Sequence, residues 1–134
     1  MTSKYAIALY ELIQLRANLD RSVEVIPIER FRDLLGVTPG TYARGDNFQR
    51  KVVDPAVLEV NGLADMGIRI MLRRRHARAP IQTVTLAWWP KSGDELRNAI
   101  RERHRNKLGR MARLKGLLER GADVRTPPLE LPPL

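Results

Sequence analysis

Apolar residues recur at helical spacing in four stretches of the chain and alternate in two others. Tyr5, Ala8, Leu9, Leu12 and Ile13 stand at i, i+3, i+4, i+7 and i+8, which predicts an amphipathic helix over residues 3–17, with Thr2 or Ser3 as its cap. The pattern fades at Asn18 and Asp20. Val23, Val25 and Ile26 then favour a short strand that Pro27 confines to an edge or an end. A second helix follows, with Ile28, Phe31, Leu34 and Leu35 as its stripe and Gly36 as its stop. After the turn at 38–42 a third helix begins near Asp46 or Asn47, either of which caps well. It directs Phe48, Val52, Val53, Ala56, Val57 and Val60 to the core, and Asn61-Gly62 ends it. Pro55 lies inside this pattern, so the helix should kink there or restart with Asp54 as a new cap.

From residue 66 the period changes to two. Met66, Ile68, Ile70 and Leu72 oppose Arg69, Met71 and Arg73; Val84, Leu86 and Trp88 oppose Thr83, Thr85 and Ala87. These are two half-buried strands, and the short basic link between them favours antiparallel pairing. Trp88 and Trp89 are read as core and core rim. Beyond Pro90 one long helix is expected from Asp94 to Arg120, opened by a Ser92/Glu95 capping box. Leu96, Ile100, Leu108, Met111, Leu114 and Leu118 form its stripe, and Gly121 its stop. Residues 124–134 are proline-rich and expected to be extended.

The order helix, strand, helix, helix, two-stranded hairpin predicts an α+β, mainly helical fold. It is a winged helix-turn-helix of three helices and a β-hairpin wing, followed by a long C-terminal helix. The expected divisions are 1–90 for the winged helix, 91–123 for the helical extension and 124–134 for the tail. In this architecture the third helix can enter the major groove while the hairpin loop reaches the backbone or minor groove.

Charge gives that architecture a partner. Among 134 residues there are 24 Lys and Arg against 15 Asp and Glu, a formal net charge of +9. A small domain so basic points to a polyanion, most often nucleic acid. The cations also cluster. Arg44, Asn47, Gln49, Arg50 and Lys51 crowd the start of the third helix, and Asn47, Arg50, Lys51 and Asp54 share a helical face. Arg pairs with guanine O6 and N7, and Asn or Gln with adenine, so these five are the candidate base-contacting residues. Arg73, Arg74, Arg75, His76 and Arg78 occupy the hairpin link with no acid between residues 66 and 93, and are the candidate backbone contacts. The eight Lys and Arg residues between 97 and 115 are read mainly as a solvated face.

Several classes drop out. The chain has no cysteine, which removes disulfides, thiol catalysis and cysteine zinc sites. Its two histidines, His76 and His104, form no His-x-His motif of the kind that nicking initiators use, and no P-loop is present. No enzyme activity, metal or cofactor is expected. No apolar run is long enough for a membrane span, and no signal-peptide pattern opens the chain. A winged helix that docks protein instead of DNA would suit an acidic or apolar third helix, which this is not.

The segments "SKYAIALYELI", "FRDLLGV", "NFQRKVVDPAVLEVN" and "IQTVTLAW" resemble iteron-binding plasmid replication initiators of the Rep type, in particular their C-terminal winged helix. The resemblance covers roughly residues 3–90, and its most specific piece is the helix around "RKVVDPAVLEVN". It implies a bacterial cytoplasmic protein that binds direct repeats at a plasmid origin, with Arg44, Arg50 and Lys51 at the family's base-contacting positions. It further implies host replication factors as partners and a homodimer that represses transcription, so a repressor using the same contacts is the alternative. Full-length relatives carry a first winged helix upstream, whereas these 134 residues start at the second.

Overall fold

A computed structural model describes residues 3–120, with side chains as far as Leu117. The readings of Thr2 as a cap, of Gly121 as a stop and of the 124–134 tail lie outside the described residues, and that of Leu118 in the stripe lies outside the described side chains.

Helix α1 (Lys4–Gln14) starts at Ser3, whose hydroxyl accepts the Ala6 amide at 3.4 Å. It buries Ala6, Leu9, Leu12 and Ile13; Tyr5 and Ala8, on the flank of that stripe, are half buried. Strand β1 (Val23–Pro27) runs directly into α2 (Ile28–Leu34), because the φ of Pro27 suits a helix entry. Gly36 at φ 74° stops α2, a backbone conformation that suits glycine.

The third helix is more elaborate than its sequence pattern. It comprises α3 (Gly45–Phe48), a π turn (Gln49–Val53) and α4 (Asp54–Leu63) in one continuous rod. The cap is Arg44, in extended backbone, and not Asp46 or Asn47, which already lie inside the first turn. Pro55 neither breaks the helix nor makes Asp54 a new cap. Proline has no amide to give the carbonyl of Lys51 and its ring crowds that carbonyl. The wider turn relieves the clash, and the Asp54 amide bonds Gln49 O, five residues back.

This turn also sets the phase. In an unbroken α-helix, at about 100° per residue, Gln49 would fall in the arc between Ala56 and Val60. Both of those are fully buried, yet Gln49 is exposed. Widening the turn swings Phe48 into the core and Gln49 out of it. Val57, expected in the core, is only half buried because it lies about 100° round α4 from Ala56, whereas Val52, Val53, Ala56 and Val60 are inside.

The helix continues past Asn61-Gly62 to Leu63. Asn61 serves the sheet instead of ending the helix. Its amide donates to Ile68 O at 3.0 Å and its oxygen accepts the Ile68 amide at 2.8 Å. That exchange ties the third helix to the free edge of β2 (Met66–Arg73), which pairs antiparallel with β3 (Thr83–Pro90). Strand β1 adds to the other side of β3, so the hairpin belongs to a three-stranded sheet of order β1-β3-β2. Val84, Leu86 and Trp88 face the helices and Trp89 covers Gly67, where a Cβ would lie 2.3 Å from the indole.

The expected long C-terminal helix is two helices, α5 (Gly93–Arg103) and α6 (Arg110–Arg120). Gly109 at φ 78° turns the chain between them. The turn is fastened by Glu102, which is 2% exposed and accepts from Arg110 Nε at 3.2 Å and Arg113 Nη2 at 2.7 Å. The hydrogen bonds from Arg113 hold the Glu102 carboxyl below its usual pKa. Doubling back leaves the stripe discontinuous: Leu114 is buried and Leu96 half buried, while Ile100, Leu108 and Met111 are exposed. Leu114 sits on Gly62, where any Cβ would lie 2.2 Å from its Cδ2. Nor does the capping box form, since Ser92 makes no side-chain cap bond and Glu95 accepts the Trp89 indole N–H instead. Among the described residues no helix is long and apolar enough to cross a membrane.

Two measurements check this packing. Val60→Asp should cost several kcal/mol of unfolding free energy in urea, because an unpaired carboxylate would be buried at a fully enclosed position. Val57→Asp, at the half-buried rim, should be much less harmful; equal destabilisation would mean the helix phase is wrong.

The second concerns Lys91, whose ammonium donates to the carbonyl of Asn61. Burial lowers its pKa to about 8, against attraction from Glu95 and Asp65 and with repulsion from Arg103. Between that value and the ordinary 10.5 the unfolded chain binds more protons than the folded one, so stability contributed by this group rises with pH. Relative to Lys91→Met, the wild type should gain on the order of 2 kcal/mol between pH 8 and 10. Parallel pH profiles for the two proteins would contradict the assignment.

Candidate nucleic-acid interface

The first turn of the third helix and the hairpin tip are far apart in sequence and adjacent in space. Ala43, Arg44, Gly45 and Asp46 form one wall of an open notch; Arg74, Arg78, Ala79 and Pro80 form the other. The closeness depends on Gly45, since a Cβ there would lie 2.8 Å from Ile81 Cδ1 and 2.9 Å from Arg74 Nη2.

On the helix side, Arg44, Gln49, Arg50 and Lys51 are exposed and Asn47 is half buried. Arg50 Nη2 donates to Asn47 Oδ1 at 3.2 Å, so the pair presents one joined polar group three residues apart on the rod. Arg44 Nη2 lies 3.2 Å from Asp46 Oδ2, with both side chains exposed. The Asp46 carboxyl is held below its usual pKa first by the backbone N–H of Asn47 and then by Arg44 and Arg50. An exposed pair of this kind is worth little in stability, so it leaves Arg44 free to exchange partners. Gln49 and Lys51 make no side-chain hydrogen bond among the described residues. Asp54 follows on the exposed side one turn later.

The tip is ordered by backbone bonds, Ala79 N–H to His76 O at 3.0 Å and Gln82 N–H to Arg73 O at 2.8 Å. Arg75, His76 and Arg78 are exposed at its end, while Arg73 and Arg74 are half buried nearer the sheet. Arg74 bends back and donates to Ala79 O at 3.1 Å, which closes the tip on itself. His76 Nδ1 accepts the Arg78 amide at 3.3 Å. Three cations of the two clusters, Arg44, Arg74 and Arg78, thus line one concavity with Asp46 as its acid, while Arg50 and Asp54 lie beside a second concavity towards the C-terminal helices. Their arrangement can accept phosphate oxygens at the tip and offer the Asn47–Arg50 group and Gln49 as hydrogen-bonding edges.

The C-terminal cations differ. Arg110 and Arg113 are engaged by Glu102, and Arg97 by Asp94. Among the described residues no group of three or more acidic or histidine side chains is placed to hold a metal ion.

Two residues of the site escape the sequence reading. Gly45 stands just after the cap, and only its tight neighbours reveal its importance. Arg32, in α2, reaches across to the chain that enters the third helix, and nothing in its sequence context signals that.

With this geometry in view, residues 27–86 match the family model described as initiator Rep protein, WH2. The match runs from the end of β1 through the third helix and the hairpin to Leu86. No curated protein sequence matches the chain.

Proposed function

We propose, on the premise that residues 27–86 are the WH2 winged helix of a Rep-type plasmid replication initiator, that this chain binds duplex DNA sequence-specifically at repeats in a plasmid origin. The third helix enters the major groove with Arg44, Asn47, Gln49, Arg50 and Lys51 at base edges. The hairpin tip lays Arg73, Arg75, His76 and Arg78 along the backbone, with Arg74 bracing it from behind. The protein acts by binding and carries out no chemical step of its own, in the bacterial cytoplasm where the plasmid resides. Recruitment of host replication factors and self-association belong to the same reading.

The observation that carries the proposal is that Arg44, at the start of the third helix, shares one notch with Arg74 and Arg78 of the hairpin tip, so that the two basic segments meet there. Selection of bound sequences from random duplex DNA tests it. One enriched motif, with tandem direct repeats footprinted in the same orientation, is expected. Enrichment of inverted repeats alone would turn the reading towards a dimeric repressor, and no enrichment would end it.

Substitutions separate the two clusters. Arg50→Ala should weaken binding to the enriched motif by about 1–3 kcal/mol while random duplex binding changes little, the signature of a missing base-edge hydrogen bond. Effects of equal size on both would remove Arg50 from base reading. Replacing Arg75 and Arg78 together by Ala should weaken binding to all duplexes alike. It should also flatten the slope of log affinity against log salt by about 0.9 for each phosphate no longer neutralised. An unchanged slope would mean that the tip points into solvent.

A further inference from the structure

The third helix must leave the α2 loop in a fixed direction if its first turn is to read bases, and one side chain controls that exit. Arg32 lies in the last turn of α2. Its Nη1 donates to the carbonyl of Tyr42 at 3.0 Å, and its Nη2 donates to the carbonyl of Thr41. The guanidinium carbon stands 4.6 Å from the ring centroid of Phe48, in the first turn of the third helix. Phe48 is fully buried and meets Phe31 edge-on, with centroids 6.2 Å apart and planes at 87°. One planar group therefore grips the incoming chain at two successive carbonyls and the helix itself at an aromatic face.

The chain needs such a grip at this point. Tyr42 has φ 51°, the one non-glycine residue at positive φ among the described residues. That conformation is unfavourable for a residue with a Cβ and persists where the surroundings hold it. Gly40, two residues earlier, is also left-handed at φ 84°. Two residues after Tyr42 comes Arg44, the cap of the third helix, and then the notch. A rotation at Tyr42 would therefore swing Arg44 and Asn47 as a unit. Lysine cannot substitute: it is a point charge without a plane, unable to fork between two carbonyls while stacking on a ring.

We propose that Arg32 is a positioning residue for DNA sequence recognition. It touches no base, and sets the angle at which the first turn of the third helix is presented. The inference rests on the DNA-reading function proposed above. It adds to that reading a specificity determinant lying in α2, outside both basic clusters.

The test measures affinity for the duplex enriched by the wild-type protein and for a random duplex of equal length, across a salt series, with Arg32→Lys and Arg32→Met. A partly unfolded sample lowers both affinities by the same factor, so their ratio is moved only by the geometry of the reading edge. Arg32→Lys, which keeps the charge, should reduce the ratio about tenfold, the scale of one misplaced base contact. Arg32→Met should reduce it similarly and leave the salt slope of random-duplex binding unchanged. An unaltered ratio in Arg32→Lys overturns the positioning role. A slope flattened by about 0.9 in Arg32→Met would make Arg32 a phosphate ligand and overturn it too. A wild-type protein without preference between the duplexes overturns the DNA-reading function itself, a result distinct from either.

Discussion

The burial of Phe48 is the constraint on which the other features of the third helix depend. The ring occupies the core between α2 and the sheet, edge-on to Phe31, while the residues on either side of it must stay in water. A regular helix could not meet both demands, because the phase that buries Ala56 and Val60 would also bury Gln49. The π turn resolves the conflict and Pro55 makes it favourable, since the amide that an α turn would require is the one proline lacks. Arg32 then closes the solvent side of the ring. Arg32, Phe48 and Pro55 thus cooperate to make one short stretch at once deeply anchored and outwardly polar.

The back of the domain follows a different logic. Leu114 occupies the space that Gly62 leaves open, and Glu102 gathers Arg110 and Arg113 into the corner between α5 and α6. A carboxylate this buried would be unfavourable alone; two guanidinium partners and their hydrogen bonds compensate it. Lys91 and Asn61 complete the seam between α4, the sheet and the C-terminal helices. Basic residues that in sequence look like an extension of the positive surface are here partly structural. The charge of the extension therefore overstates what it offers an anion.

The sequence made legible what depends on neighbours along the chain. The order of elements, the core faces of β2 and β3, the helix stop at Gly36 and the inward faces of Val52, Ala56 and Val60 follow from period and turn chemistry. Phe48, by contrast, reaches the core through the π turn, and β3, expected to be half buried, is the central strand and buries Thr85 and Ala87 as well. Both basic clusters were visible as composition, and the family resemblance agrees with the matched segment. What was not legible depends on tertiary partners. Ser92 and Glu95 satisfy the capping pattern, yet the indole of Trp89 takes Glu95. Gly109 lies inside the stretch expected to be one helix from Asp94 to Arg120, until Glu102 pulls Arg110 and Arg113 round it. Asn61-Gly62 reads as a helix end, whereas Asn61 is drawn to the β2 edge and Gly62 to Leu114. Asp46 and Asn47 are good caps by type, but the phase demanded by Phe48 starts the helix at Arg44.

The exposed side chains at the front of the rod have an evolutionary consequence. Arg44, Asn47, Gln49, Arg50 and Lys51 lie on the outer side of the helix, and none belongs to the apolar core. The residues that hold the helix in place, Phe48, Val52, Val53, Ala56 and Val60, form a separate set interleaved with them. Mutation can therefore sample new outward side chains while the scaffold stays intact, so preference and foldability can drift independently. A lineage carrying this domain could diverge in what it recognises through surface changes alone. The interleaving also limits that freedom: insertion or deletion of a single residue between 45 and 55 would turn the two ends of the rod about 100° out of step, and such changes should be absent from its descendants.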